Sequence, residues 1–88
     1  MRELVNEKVS VIMTFSAAKR RAAPYLISWQ NNDYRIGEIG YHHQVKVGND
    51  LHHIYEVVDK DSRLSFRLNF DTLNLHWTLE AISDGNAN

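Results

Sequence analysis

Between Leu64 and Phe70 the chain alternates without a break, with Leu64, Phe66, Leu68 and Phe70 set against Ser65, Arg67 and Asn69. A period of two places every apolar side chain of an extended segment on one face, which is the signature of a half-buried strand and is incompatible with a helix. The pattern recurs in Val9–Ser16, Tyr25–Gln30, residues 33–47, Leu51–Val57 and the closing segment Leu75–Ala81. Six such segments separated by turn residues predict an all-β chain.

Turn chemistry predicts how the segments join. Asn31-Asn32 suits a two-residue hairpin turn, because asparagine tolerates positive φ. Trp29 is then expected opposite Tyr34, and Ile27 opposite Ile36. Beyond Ile36 the apolar positions change parity to Ile39, Tyr41, Val45 and Val47, which requires an extra residue. Gly37 and Gly40 lie where a bulge fits, so residues 33–47 read as one long bent strand shared between two sheets. A three-residue loop, Gly48-Asn49-Asp50, is expected next, placing His43 opposite Tyr55 and His42 opposite Glu56. Asp59–Ser62 reads as a polar turn, and Asp71–Asn74 as a four-residue loop that sets Phe70 opposite Leu75, Leu68 opposite Trp77 and Phe66 opposite Leu79. Asp71 is the natural residue to cap the amides of that loop. Ala17–Ala23 is expected to be a loop or short helical turn before Pro24, and Met1–Lys8 fits either a helical turn or an extended lead-in.

Eighty-eight residues allow one domain, with an ordered core over about residues 9–82 and a flexible tail over 83–88. A chain of this size must commit nearly all its apolar side chains to a single core, leaving little for a deep catalytic cleft. The sequence holds no cysteine, so neither a disulfide framework nor a thiolate zinc site is available, and a reducing compartment fits. Val9–Ala18 superficially resembles a secretory signal, but Glu3 and Glu7 spoil the positive flank and Ser10, Thr14 and Ser16 interrupt the apolar run. No run approaches the roughly 18 apolar residues of a membrane span. A soluble cytoplasmic protein is expected.

Five histidines are the unusual element, as His42-His43 and His52-His53 flank one hairpin and His76 lies on the last strand. Neighbours in a strand face opposite ways, so only one histidine of each pair can meet its counterpart. With the three-residue loop these are His43 and His53, diagonal neighbours roughly 7–8 Å apart beside Tyr41 and Tyr55. They are the candidate metal or small-ligand site, against the plainer reading of a half-buried pair bonded to tyrosine or backbone. His42 with Glu56 is the one derived pair of proton-transfer type, and it reads as a surface contact. No phosphate loop, nucleophile elbow or His-Glu-x-x-His motif is present, so no enzyme and no cofactor are expected.

Net charge is −1, divided into +2 over residues 1–44 and −3 over residues 45–88. Lys19, Arg20, Arg21 and Arg35 are the candidate residues for a nucleic-acid or partner contact. A single-strand platform also needs exposed aromatics, and Trp29, Trp77, Phe66, Phe70, Tyr25 and Tyr34 fall on inferred core faces, so nucleic acid is the less favoured partner. An unprotected edge at the first strand, with Ile12 on its second face, is instead a template for homodimerisation or for strand addition by another protein.

Trp29-x4-Tyr34-x-Ile36, Leu68-x-Phe70-Asp71 and Trp77-x-Leu79-Glu80 together resemble small bacterial β-barrel domains of unknown function that carry a Trp-to-Tyr hairpin and a closing Trp-x-Leu strand. The likeness covers about Pro24–Ile82 and implies a fold without a reaction. The reading is an all-β, six-stranded, bent antiparallel meander forming a small SH3-like or partly open barrel. Its expected role is a non-catalytic binding module, with nucleic-acid binding through the basic loop and a histidine-based site on the 42–53 hairpin as the alternatives.

Overall fold

The computed structural model describes residues 2–61 and 64–84. Ser62 and Arg63, in the expected polar turn and at the head of the next strand, and residues 85–88 of the expected tail lie outside the described residues. The fold is all β and antiparallel: β1 (Arg2–Lys8), β2 (Ser10–Ser16), β3 (Arg21–Trp29), β4 (Asn32–Val47), β5 (Asp50–Asp59), β6 (Ser65–Asp71) and β7 (His76–Ser83). They form one sheet in the order β1-β7-β6-β5-β4-β3-β2. Its two edge strands, β1 and β2, are consecutive in the chain and joined by Val9 alone. The sheet therefore curls until its edges meet at one residue, and the chain, not a hydrogen-bonded ladder, links them. Among the described residues no helix is long and apolar enough to cross a membrane.

Seven strands replace the expected six because the lead-in to Lys8 is itself a strand, paired with β7 from Arg2↔Ser83 to Lys8↔Thr78. Ser83 belongs to β7 and not to a tail. The loop before β3 is shorter than expected: only residues 17–20 turn, and Arg21–Ala23 are already strand. Pro24 sits in β3 at a register shift where Ile12 pairs Leu26 and Met13 pairs Pro24, leaving Tyr25 as the extra residue. A bulge is where an imino acid without an N–H costs least.

Both tight hairpins use turns that match strand twist. Gln30 and Asn31, with φ of 52° and 62°, form the β3–β4 turn, one residue earlier than expected, so Trp29 pairs Asn32 and Ile27 pairs Tyr34. Gly48-Asn49, with positive φ at Gly48 alone, forms the β4–β5 turn and pairs Val47 with Asp50. The β6–β7 loop is residues 72–75 rather than 71–74. Phe70 pairs Trp77 and Leu68 pairs Leu79, and Leu75 occupies the loop with φ of 63°.

The long bent strand is present, with two bulges in place of one, but it lies within a single sheet and is not shared between two. The ladder to β5 shifts between Ile36 and Glu38 and again between Ile39 and Tyr41, so Gly37 and Gly40 are each an inserted residue. Residues 32–35 of β4 pair β3, and the ladder to β5 runs from Ile36 to Val47. The buried centre is Ile27, Tyr55, Val57, Phe66, Leu68, Trp77 and Leu79, with Val5, Val9, Val11, Met13, Trp29, Tyr34 and Ile36 packed around it. Phe15, Tyr25, Tyr41 and Val47, expected on apolar rows, are exposed. Tyr25 is turned out by the bulge beside Pro24 and Tyr41 by the one at Gly40. Phe15 and Val47 lie near strand ends, beyond the central core.

Candidate functional site

One end of the barrel gathers the chemistry. The C-terminal ends of β2, β4 and β6 meet the N-terminal ends of β3, β5 and β7 there, and this brings four of the five histidines onto the two faces of β4 and β5. The two-residue turn moves the β4–β5 register by one residue relative to the expectation, and the ladder runs without irregularity from that turn to Tyr41. Such a slip exchanges the faces of every side chain in one strand. His42 pairs Tyr55, His43 pairs Ile54 and Gln44 pairs His53. His43 and His53, the expected site pair, are therefore on opposite faces of the sheet and cannot hold one ion. His42 does not face Glu56 either, because Tyr41 is that residue's partner.

The histidines that do meet are His42 and His53, on the inner face. His42 Nε2 lies 2.8 Å from His53 Nδ1, so one ring donates and the other accepts. The His42 ring stacks flat on Tyr55, centroids 4.2 Å apart and planes 3° from parallel. Tyr55 donates its hydroxyl hydrogen to the Ala22 carbonyl at 2.9 Å, which ties β5 to the start of β3. Tyr55 continues into Trp77 and Trp77 into Phe70, centroids 5.7 and 4.6 Å apart. Burial lowers the His42 pKa below its ordinary value, and His53, Arg21 and His43 lower it further. Burial pushes the Tyr55 pKa up, opposed by Arg21. His42 and Tyr55 thus stand in an aromatic wall that disfavours the charged form of each. Each imidazole has the other as its hydrogen-bond partner, in the place where acid–base catalysts commonly hold an orienting carboxylate.

The outer face carries a polar chain. His52 Nδ1 bonds Asn69 Oδ1 at 2.7 Å, and Asn69 Nδ2 donates to Glu80 Oε2 at 2.8 Å. Arg67 then joins Glu80 to Glu56, donating from Nε and from a terminal nitrogen at 2.9 Å each. Beside it, Asp50, His52 and Asp71 each present a ligand atom, all within 4.8 Å of one another. His52 is the donor that spacing arguments passed over, because the expected register assigned it to exposed surface. Asp71 also fulfils its expected turn role, accepting the Leu73 N–H at 2.9 Å.

The basic residues are only partly together. Lys19 and Arg20 occupy the β2–β3 turn, where the Lys19 N–H is donated to Ser16 Oγ at 3.2 Å, and Arg21 opens β3. Arg35 is opposite Leu26, five residues further along β3 from Arg21, or about 17 Å at a strand rise of about 3.3 Å. Its guanidinium lies 6.0 Å from the centroid of Tyr25. Between the diverging edges, a cleft of about 450 Å³ is lined by Lys8, Val9, Ser10, Val11, Leu75, His76 and Trp77.

Comparison with known protein families, with curated proteins and with solved structures finds no match.

Proposed function

We propose that this chain is a non-catalytic interaction module of the bacterial cytoplasm, built like the small barrels it resembles, that works as a homodimer through the open edge of β2. The contrast between the two edge strands carries this reading. β1 holds Arg2, Glu3, Glu7 and Lys8 and is kinked by a register shift between Leu4 and Glu7, with Asn6 at φ 54°. Charges and bulges are the devices that keep an edge from pairing with another chain. β2, Ser-Val-Ile-Met-Thr-Phe-Ser, carries no charge over its seven residues. Ile12 and Phe15 are 55% and 69% exposed there. A two-fold pairing centred on Met13 would set Val11 against the second copy's Phe15 and Ile12 against its Thr14, with no like charges brought together.

A seven-residue strand pair buries less than the roughly 1,200 Å² of a standard interface, so the dimer is expected to be weak. Sedimentation over a range of protein concentrations checks it. The wild type should shift from monomer to dimer as concentration rises, and Ile12→Lys, a change at an exposed position, should remain monomeric while keeping the fold. A wild type that stays monomeric at millimolar concentration overturns the reading. Nucleic acid is disfavoured by the net charge of −1, where a domain held on phosphates is normally strongly basic. A mobility shift that appears at low salt and fades as salt rises would favour it instead.

A further inference from the structure

We propose that Asp50, His52 and Asp71 form a binding site for a transition-metal dication, zinc foremost, on the outer face of the β5–β6 ladder. This site is independent of the β2 edge. The sheet itself builds it: His52 and Asp71 are directly paired across β5 and β6, and Asp50 lies two residues from His52 and so on the same face of β5. The tautomer of His52 decides what this group can do. Glu80 can only accept a hydrogen bond, and Arg67 holds it at 2.9 Å, so the Asn69 amide must aim its Nδ2 at Glu80. Asn69 Oδ1 is thereby turned to His52, and the 2.7 Å contact requires the proton on His52 Nδ1. In the neutral ring Nε2 then carries a lone pair, and it is Nε2 that faces Asp71.

The separation supports this assignment. His52 Nε2 and Asp71 Oδ1 are 3.8 Å apart, too far for an N–H donating to a carboxylate. Two ligands of one tetrahedral zinc, at bonds of about 2.0–2.1 Å, stand roughly 3.3 Å from each other. Both side chains are largely shielded, at 15% and 21% exposure, so the acceptors face one another in a partly desolvated place. Apart from the Leu73 N–H that Asp71 Oδ1 accepts, no described hydrogen-bond donor lies among the three ligand atoms, an arrangement of acceptors that a cation would satisfy. A metal-bound histidine characteristically donates its other ring N–H to a fixed acceptor, and Asn69, backed by Glu80 and Arg67, supplies that partner. One imidazole nitrogen with two carboxylates suits zinc better than calcium or magnesium, which favour all-oxygen sites. Three protein ligands leave a fourth position for water.

The test is zinc titration of the full chain near pH 7.5, followed by long-range nitrogen–proton correlations of the histidine rings. Metal-free His52 should show its proton on Nδ1. One equivalent of zinc should move His52 Nε2 and leave His42 and His53 in place, and magnesium or calcium at the same concentration should move neither. Asp71→Asn keeps an oxygen for the Leu73 N–H and so preserves the turn. It should weaken zinc at least tenfold, as should His52→Ala, and Asn69→Ala should weaken it about 10–100-fold. A proton on His52 Nε2, a zinc response at His42 and His53 instead, or full affinity in Asp71→Asn overturns the proposal.

Discussion

At the scale of the residue, His42 shows how a small barrel sets the proton affinity of a side chain. Its ring lies flat on Tyr55, with His53 at hydrogen-bond distance and Arg21 and His43 close enough to disfavour its charged form. Burial and these charges disfavour the imidazolium, so the folded pKa is below the 6.5 of an unfolded chain. Above about pH 6.5 the ring is neutral in both states and the stabilising contacts are complete. As pH falls through that value the unfolded chain takes up a proton that folded His42 does not, and unfolding becomes easier until the folded ring also titrates. Denaturant midpoints should therefore drop between pH 7.5 and pH 5.5. His42→Phe keeps a flat ring on Tyr55 and removes the titration, so its midpoint should change less over the same range. An identical decline in the variant would assign the effect to other groups.

The same scale separates three glycines. A Cβ at Gly37 would stand 3.0 Å from the Lys60 Cα, where the Lys60 N–H is donated to the Arg35 carbonyl at 2.7 Å. A Cβ at Gly40 would meet only the Glu56 carbonyl oxygen, at an ordinary 3.5 Å. Gly37→Ala is expected to cost about 1–3 kcal/mol through crowding against backbone. Gly40→Ala should remain close to the wild type. Gly48→Ala meets open space but must hold φ near 64°, at a cost of about 1–2 kcal/mol. Urea unfolding of the three variants gives the ranking, and equal losses at Gly37 and Gly40 would refute the close approach at Lys60.

At the scale of the element, the size of a register error decides what the sequence can reveal. Expected and observed pairings of β3 with β4, and of β6 with β7 from Leu68 to Phe70, differ by two residues, while Phe66, beyond a register shift at Arg67, pairs Ile82 in place of the expected Leu79. A two-residue slip leaves faces unchanged, and so Ile27 and Tyr34 share the inner face, as do Phe66, Leu68, Trp77 and Leu79. The β4–β5 pairing differs by one residue, and there the faces exchange. Gly-Asn is itself a two-residue turn signal when glycine takes the positive φ first, and that signal would have distinguished the two loop lengths. Two glycines, two bulges is the other missing step: period two registers one change of parity between Ile36 and Ile39, and the second, at Gly40, is concealed because His42 and His43 suit either face equally well. The core was legible because apolar rows report their own parity, whereas the site was not, because adjacent histidines report none. Asn69 and Glu80, which fix the His52 tautomer, read in sequence only as polar positions on β6 and β7.

At the scale of the whole molecule, the order of the strands governs where stability resides. β5 and β6 lie in the middle of the sheet, paired on both sides, while β1 and β2 each lack a second partner and depend on the core beneath them. β1 pairs with β7, nearly the whole length of the chain away, whereas the other five pairings join strands consecutive in sequence. Closing β1 onto β7 is thus the one long-range step, and it completes the core that the hairpins share, which favours cooperative unfolding. Leu68 probes that cooperativity. It is fully buried on β6 between Tyr55 and Leu79, its partners in the two neighbouring strands. Truncating a buried leucine to alanine costs about 2–5 kcal/mol from lost transfer energy and the cavity left behind. A domain of this length has on the order of 5–13 kcal/mol in all. Leu68→Ala should therefore lose a large share of the total, and tryptophan fluorescence and far-ultraviolet dichroism should fall together at a lower denaturant concentration. Trp29 reports the β3–β4 side and Trp77 the β7 side, so transitions that separate by probe would show that the two halves of the curled sheet unfold independently, against a barrel whose edges are bound together through Val9.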